Sequence, residues 1–559
     1  MQTRWQIQPS LTPEADQALL KFPPVLRQLL FNRGYATDTE ARAFLKATPT
    51  HSMSPWEIKG MDIAIPRILQ AIDENEKIII YGDYDVDGVT STALLVQVLR
   101  ALNANVGAYI PNRFDEGYGL NMDALSQLSK EGVNLVITVD CGIRSVDEVA
   151  HARDLGLALI ITDHHHPGDI LPPALAIINP KQKGDTYPEK YLAGVGIAYK
   201  IAQALLEQRS TNELTSEHLL DLVALGTVAD LAPLEGENHA LVRKGLRVIR
   251  NAQRQGLVSL AAVASVNIQE VSAMNIGFSL GPRLNAAGRL DSALAAYDLL
   301  METDFMKAGG MAQELEIQNR ERQNITREMQ KEAEKIALAT DEDAFLLFAA
   351  SPDFNPGVVG LAASRLMDTY YLPAVVGHVD EETTVCSCRS IAEFHITEAL
   401  DKCADLLVRH GGHAAAAGFT VRNENVGVLL KRLKEIAAEE LAGVDLRRVL
   451  VADMELALDA LSFEMFEHLQ YLEPTGYGNP QPVFVSRNLR VASSRTVGKD
   501  QSHLKLTVMD GNSRLDGIAF RLGHLKPDLP AKIDLLYTFE VNEWQGRRSL
   551  QLNIKDIQF

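Results

Sequence analysis

Four short apolar runs in the first half of the chain each stop at a carboxylate or an imidazole, and this repetition limits the possible folds more than any other feature. Lys77-Ile78-Ile79-Ile80-Tyr81 leads into Gly82-Asp83-Tyr84-Asp85-Val86-Asp87-Gly88, and Leu135-Val136-Ile137-Thr138-Val139 stops at Asp140. Leu157-Ala158-Leu159-Ile160-Ile161 leads to Asp163-His164-His165-His166-Pro167, and Leu222 to Ala229 stops at Asp230. Read as buried strands, all four place a polar side chain at a strand end, where open α/β sheets put their sites.

Carboxylates brought within a few ångströms of one another raise each other's pKa or destabilise the fold unless a cation neutralises them. Oxygen ligands suit Mg²⁺ and Mn²⁺, and an added imidazole tilts the choice toward Mn²⁺. One ion cannot use so many ligands. The expectation is a pair of ions about 3.5–4 Å apart, the arrangement that serves in-line phosphoryl displacement.

The alternation of apolar runs with helical stretches from about residue 75 to 230 predicts βαβ units and a mainly parallel sheet. Residues 191 to 300 read as mostly helical, and residues 1–70 as an N-terminal extension packed on this first domain. Residues 303–342 are rich in Glu, Gln, Lys, Arg and Ala, with sparse apolar positions at Ile325, Met329 and Ile336. They predict one long helix, a strut ~45 Å or more in length between two domains. A second, smaller α/β domain follows, from Ala344-Phe345-Leu346-Leu347-Phe348 to about 445. From 446 the chain turns to short alternating runs such as Leu504-Lys505-Leu506-Thr507-Val508 and Ile533 to Glu540, which predict a small closed β-barrel of OB-fold type.

Composition excludes several classes. With 46% hydrophobic and 23% charged residues, each domain can bury a core. No run approaches the ~18 apolar residues of a membrane span, and Met1 to Ser10 lacks the features of a signal peptide, so a cytoplasmic protein is expected. Cys141, Cys386, Cys388 and Cys403 form no zinc-like set and read as free thiols. The net charge of −19 argues against field-driven binding to nucleic acid over the whole surface. It leaves room for a small footprint built from bound ions and a local groove of arginine and lysine.

Candidate phosphate-binding groups follow from charge and geometry. Arg113 follows a strand expected on the metal-bearing sheet. Ser387, Arg389 and Ser390 in Ser387-Cys388-Arg389-Ser390 offer hydroxyls and a guanidinium to a phosphate. Gly281-Pro282-Arg283-Leu284-Asn285-Ala286-Ala287-Gly288-Arg289 sets Arg283, Asn285 and Arg289 among small residues that permit close approach. Gly412 and His413, in Gly411-Gly412-His413, offer backbone N–H groups and an imidazole.

Taken together and in this order, the Gly82–Gly88 loop, Asp140, the Asp-His-His triplet at 163–165 and Asp230 resemble the metal motifs of the DHH phosphoesterases. Gly411 to Phe419 resembles the motif of the DHH-associated substrate domain. Leu472-Glu473-Pro474-Thr475-Gly476-Tyr477-Gly478-Asn479-Pro480 resembles the OB-domain signature of the family's single-strand exonucleases. The resemblance implies a Mn²⁺- or Mg²⁺-dependent enzyme that degrades single-stranded DNA 5′→3′ to mononucleotides in recombination and repair, including mismatch repair and stalled-fork processing. It also implies single-strand-binding protein and a repair helicase as partners. Implied metal ligands are Asp85, Asp87, Asp140, His164 and Asp230. Tyr81 stands where related enzymes carry a histidine, which brings in Asp83 as a substitute ligand. His165 is expected to act on the reacting phosphate and to diverge from His164, with Asp163 orienting an imidazole. Arg113, Ser387 and Arg389 are implied at the 5′-terminal phosphate. The competing readings are a DHH-type phosphodiesterase acting on nanoRNA or cyclic dinucleotides, and an inactive nucleic-acid-binding scaffold.

Overall fold

The computed structural model of this 559-residue chain describes residues 3–559 apart from Phe114, Asp115, Tyr118, residues 341–344 and Gln545, and without the side chains of Thr340 and Trp544. Ile78–Gly82 and Leu135–Val139 are buried along their whole length, as continuous apolar strands in a sheet covered on both faces must be. They are neighbours in a five-stranded parallel sheet with the order Val106–Tyr109, Ile78–Gly82, Leu135–Val139, Ala158–Thr162, Ala176–Ile178. The chain runs from Ile78–Gly82 to one edge and returns to the other side, so the strand order reverses between Ile78–Gly82 and Leu135–Val139. A crevice opens at the carboxyl ends of strands at such a point.

One face of the sheet carries the largest core, built with the helices Val86–Ala101, Gly194–Gln208 and Leu220–Ala229. The other face packs a smaller core around Leu125, Val149 and Tyr81. Leu220–Ala229 corrects the reading of that run as a strand. Leu222 to Val228 are buried on all sides because the helix lies inside the core, and a largely apolar run of this length does not distinguish the two states. Asp230 is the C-cap of this helix.

The helix Phe305–Thr340 spans 36 residues, about 54 Å. Ala308, Ala312 and Leu315 belong to the core of the first domain, whereas Met329, Ala333 and Ala337 pack with Leu347, Val358 and Leu366 of the second. The second domain's mixed sheet has the order Leu407–His413, Ala416–Arg422, Thr383–Arg389, Ala374–Val379, Leu347–Ser351. Ala344, where its first strand was expected to begin, lies outside the described residues.

Phe484–Val497, His503–Asp510, Ser513–Ala519, Arg547–Gln558 and Lys532–Trp544 pair in that order, and Lys532–Trp544 pairs back with Phe484–Val497 to close a barrel. The N-terminal extension packs on the first domain, as expected, with Phe44 stacked on His239 at 4.5 Å and Lys200 donating to Met53 O at 2.7 Å, but it packs on the barrel as well. Arg4–Ile7 pairs in parallel with Val449–Ala452, and Leu26, Leu29, Leu30 and Phe44 share a core with Phe484, Leu504 and Tyr537 of the barrel. Only the stretch from Ile58 onward joins the core of the first domain. An amphipathic helix states that it has a partner but not which one. All four cysteines are free and buried, and no helix among the described residues is long and apolar enough to cross a membrane.

Candidate active site

The loop after Ile78–Gly82 turns directly into the helix Val86–Ala101, with Asp85 as N-cap: its Oδ1 accepts from the N–H groups of Asp87 at 2.9 Å and Gly88 at 3.1 Å. A Cβ at position 88 would lie 2.5–2.7 Å from the backbone of Asp83, so only glycine allows so tight an entry. The first turn then buries Asp87. Its Oδ2 and Oδ1 accept from Gly194 N and Val195 N, at 2.7 and 2.8 Å, where the helix Gly194–Gln208 begins. Those donors and the N-terminal end of the dipole hold the carboxylate in place.

Asp140 follows the neighbouring strand in the left-handed region, with φ +62°. Gly194 packs against its side chain, since a Cβ there would lie 2.8 Å from Asp140 Cβ. Asp163, after the fourth strand, Ala158–Thr162, accepts from Ile143 N at 3.0 Å through Oδ2. Its Oδ1 accepts from His165 N at 3.0 Å and lies 2.7 Å from His165 Nδ1. Asp163 therefore orients His165.

His164 stands at the centre. Its Nε2 lies 3.0 Å from Asp140 Oδ1 and 3.9 Å from Asp87 Oδ2, and its Nδ1 lies 3.8 Å from Asp230 Oδ2. The expected divergence of His164 and His165 does not occur. Their ring centroids are 4.4 Å apart, and His165 Nδ1 is 4.0 Å from Asp140 Oδ1, because the strand has ended at Thr162 and side-chain alternation no longer applies.

Three sets of ligand atoms each lie within 4.8 Å of one another: Asp83, Asp85 and Asp140; Asp87, His164 and Asp230; and Asp140, His164 and His165. Asp140 and His164 are shared between sets, which fits adjacent cations better than one isolated ion. Tyr81 is outside all three. It is turned to the far face of the sheet, stacked on Tyr109 at 4.9 Å, and donates to Gly119 O at 3.2 Å.

The electrostatics follow from burial. Desolvation, then the charge of Asp85, pushes Asp83 well above the carboxylate range, and desolvation, then Asp87, does the same to Asp140. Asp87 and Asp230 are also raised, first by burial and then by neighbouring carboxylates. Burial, and next the adjacent His165, lowers His164 to about 3. For Asp163 burial opposes the charge, but the His165 contact outweighs it and the pKa falls, while His165 is raised by the same contact against its own desolvation. Asp83 Oδ1, Asp140 Oδ1 and His164 Nε2 are buried atoms without a hydrogen-bond partner among the described residues. His164 Nε2 and Asp140 Oδ1 face each other at 3.0 Å, an arrangement that requires a proton or a cation between them. The donor set, oxygen with imidazole, fits Mn²⁺ or Mg²⁺.

The phosphate-binding candidates fall into two groups. Near the metal ligands, the Arg113 guanidinium lies 4.8 Å from the Tyr84 ring centroid. Arg289 is held down to about 10 by burial, then by Arg113 and Arg322, and it donates to Gly357 O of the second domain at 3.2 Å. Asn285 accepts from Val86 N at 3.1 Å and so supports the ligand loop. Arg283 is engaged elsewhere, in an ion pair with Glu316 of the long helix at 2.6 Å. In the second domain, Arg389 donates to Ser387 Oγ at 3.2 Å and Cys388 O at 2.8 Å. Both side chains crowd Gly360, near the start of the helix Val359–Tyr370: a Cβ there would lie 3.0 Å from Ser387 Oγ and 3.2 Å from Arg389 Nη2. Ser390 is buried and donates to Phe394 O at 2.7 Å, a bond within its own loop. Gly412 has φ +149°, and a Cβ there would meet Ala416 O at 2.5 Å. His413 is exposed, and its charge lowers His166 across the cleft, after burial and Lys181.

Sequence reasoning missed Asn179 and Lys181, which donate to His165 O, at 2.9 Å, and to His164 O. They follow Ala176–Ile178, the fifth strand of the same sheet, so the strand-end rule points to them once that short strand is recognised. Arg322 was also missed; its Nε is buried without a partner among the described residues.

The chain matches family models of the DHH family N-terminal domain over residues 77–227, the DHHA1 domain over 343–439 and the RecJ OB domain over 452–556. It is 41% identical over 562 residues to the single-stranded-DNA-specific exonuclease RecJ of Bacillus subtilis, covering 99% of this chain and 70% of that protein. Two crystal structures of RecJ from Thermus thermophilus are similar throughout. The complex with Mn²⁺ has a TM-score of 0.85 at 31% identity and the complex with Mg²⁺ a TM-score of 0.79 at 28%, each covering 100% of this chain and 79% and 78% of theirs.

Proposed function

The chain belongs to the RecJ family of DHH phosphoesterases, and from that membership we propose that it hydrolyses single-stranded DNA from the 5′ end to 5′-mononucleotides, in recombination and repair. The observation that carries this reading is the convergence of three ligand sets on Asp140 and His164 at the switch point of the parallel sheet. Asp83, Asp85, Asp87, Asp140, His164 and Asp230 would hold two Mn²⁺ or Mg²⁺ ions. When bound, these supply a Lewis acid and a water-derived nucleophile at neutral pH.

The remaining work belongs to protein side chains. Asp163 fixes Nδ1 of His165, which leaves Nε2 to hold a proton toward the reacting phosphate or the departing oxygen. Arg289 and Arg113 place positive charge beside the ligand loop. Ser387 and Arg389 close on a terminal phosphate with the N–H groups that begin Val359–Tyr370. Engaging the first phosphate in this way selects the end of a strand and releases one nucleotide at a time. The barrel adds grip on the remainder of the strand, and single-strand-binding protein and a repair helicase are the partners proposed to deliver it.

The test is digestion of 5′-labelled and 3′-labelled single strands and of a blunt duplex with Mn²⁺, followed by identification of the first product. Labelled mononucleotide from the 5′-labelled strand alone is expected. Immediate release from the 3′ end, equal attack on the duplex, or turnover confined to dinucleotides would overturn the reading.

A further inference from the structure

We propose that Tyr81, Tyr109 and Glu116 are positioning residues for Arg113. From the far face of the sheet they set how well the enzyme tells a 5′-phosphorylated end from a 5′-hydroxyl one. The proposal rests on the exonuclease reading and on the placement of Arg113 at the terminal phosphate.

Tyr81 stands where related enzymes carry a histidine, and it joins none of the three ligand sets. It is nonetheless wholly buried. In the sheet it pairs in register with Tyr109, the last residue of the edge strand Val106–Tyr109, and the two rings stack at 4.9 Å and 30°. Beyond Tyr109 the chain leaves the sheet, carries Arg113, and returns to the far-face core at Leu120. Both ends of this excursion are tied to the tyrosine pair.

At the outgoing end, the Glu116 carboxylate accepts from the Tyr109 hydroxyl and, at 2.7 Å, from Asn112 N, while Glu116 N donates to Asn112 O at 2.9 Å. Arg113 follows the peptide held in this way. At the returning end, the Tyr81 hydroxyl donates to Gly119 O at 3.2 Å. Gly119 has φ +86°, a left-handed conformation that favours glycine, and two residues later Asn121 caps the helix Met122–Lys130. Tyr81 therefore fixes the foot of the excursion just before that helix begins.

Three residues past Tyr81, the Tyr84 ring takes the Arg113 guanidinium at 4.8 Å from its centroid. The charge of Arg113 then reaches both Asp83 and Arg289. Residues 81–84 thus hold the chain that carries Arg113 and the guanidinium itself, and the same segment supplies Asp83 to a ligand set. A tyrosine that only filled the core would not need its hydroxyl. Phenylalanine fills the same space, and a buried hydroxyl costs free energy unless it is bonded. Here the hydroxyls of Tyr81 and Tyr109 both bond to the excursion that carries Arg113. A guanidinium misplaced by about 1 Å is enough to weaken its contact with a phosphate.

The test uses the full chain and short single strands that differ only in a 5′-phosphate. Binding is read by anisotropy in chelator, hydrolysis with saturating Mn²⁺, and Mn²⁺ affinity by electron paramagnetic resonance without DNA. In Tyr81→Phe the ratio of kcat/KM for the phosphorylated over the hydroxyl strand should fall about fivefold, through KM rather than kcat, the worth of one internal hydrogen bond. The binding preference in chelator should fall by the same factor, with Mn²⁺ affinity equal to the parent's. Glu116→Ala should lower the ratio as much, and Glu116→Gln, whose amide oxygen still accepts from Asn112 N, should recover most of it. Once Arg113→Gln has removed the group being positioned, adding Tyr81→Phe should change the ratio no further. Equal losses on the two ends, or losses that add in the double variant, would place the tyrosine in the core alone. A weaker Mn²⁺ affinity in Tyr81→Phe would show that it acts through the ligand loop, and a parent without preference for either end would leave nothing to position; each would overturn the proposal. A parent that binds the phosphorylated strand preferentially in chelator, loses that preference in Tyr81→Phe, and hydrolyses neither strand would sink the exonuclease reading and leave the positioning role standing.

Discussion

The two halves of the candidate site are built on opposite principles. At the switch point of the parallel sheet, anionic side chains are forced together: Asp83, Asp87 and Asp140 are buried, and Asp87 is fixed by two backbone donors from a distant helix. At the edge of the second domain, Arg389 is satisfied locally by Ser387 Oγ and Cys388 O, and His413 stands in solvent. The first region destabilises the fold until a cation arrives, which positions it for chemistry. The second satisfies its guanidinium within its own strand, without like charges forced together, which suits it to choosing which phosphate enters.

The sharpest way to break this contrast is at Asp140, the ligand shared by two sets. Asparagine tolerates its left-handed backbone, so Asp140→Asn should leave the fold intact. We expect kcat/KM on single strands to fall on the order of 10³-fold or more, with strand binding retained by fluorescence anisotropy. Activity within tenfold of the parent would mean that the sheet edge is not the chemical half. The next effect belongs to the second domain. Arg389→Gln should raise KM for 5′-phosphorylated strands about 10- to 100-fold, the worth of a charge-assisted hydrogen bond, and leave 5′-hydroxyl strands unchanged. A loss that is equal for both ends would place Arg389 in the scaffold.

The difference between the regions also explains what the sequence discloses. Strand-end carboxylates are legible because a buried run is recognisable and its last residue has one place to go, and Asp83, Asp140 and Asp163 needed no more than that. Tertiary partners are not encoded locally. The run to Asp230 is as apolar as a buried strand even though its surroundings read as helical, nothing in Arg283 says that Glu316 is opposite, and the helices before residue 50 carry an apolar face that fits the barrel as well as the first domain. Ser390 and Arg389 are adjacent, yet Arg389 ends its strand and reaches back to Ser387 while Ser390, just past the strand, turns inward to Phe394 O, a difference that composition does not show.

Metal removal should separate the regions by their response to pH. The folded pKa values of Asp83, Asp140 and Asp230 are raised, so the folded state holds protons that the unfolded chain releases near 3.8. Stability carried by such groups is full below the unfolded pKa and declines as pH rises toward the folded value, by at most about 1.4 kcal/mol per pH unit for each group. His164, lowered to about 3, works in the opposite sense, but only below its unfolded value near 6.5. Between pH 6.5 and about 8 the melting temperature in chelator should therefore fall, and Mn²⁺ should flatten the curve. A metal-free melting temperature that rises over this range would show that the carboxylates are not held against their own repulsion.

The smallest effect tests the boundary between the regions. Ser390 was read from sequence with Ser387 and Arg389 as a phosphate ligand, but its hydroxyl is buried and committed to Phe394 O at 2.7 Å. Ser390→Ala should lower stability by about 1 kcal/mol in denaturant unfolding, the net worth of one internal hydrogen bond, and leave the preference for a 5′-phosphate untouched. Ser387→Ala should do the reverse, because Ser387 faces Gly360 at the start of a helix and its only described side-chain partner is Arg389. If Ser390→Ala weakens 5′-phosphate recognition with no loss of stability, the hydroxyl must leave Phe394 when substrate binds, and the second domain would then be strained in the same way as the first.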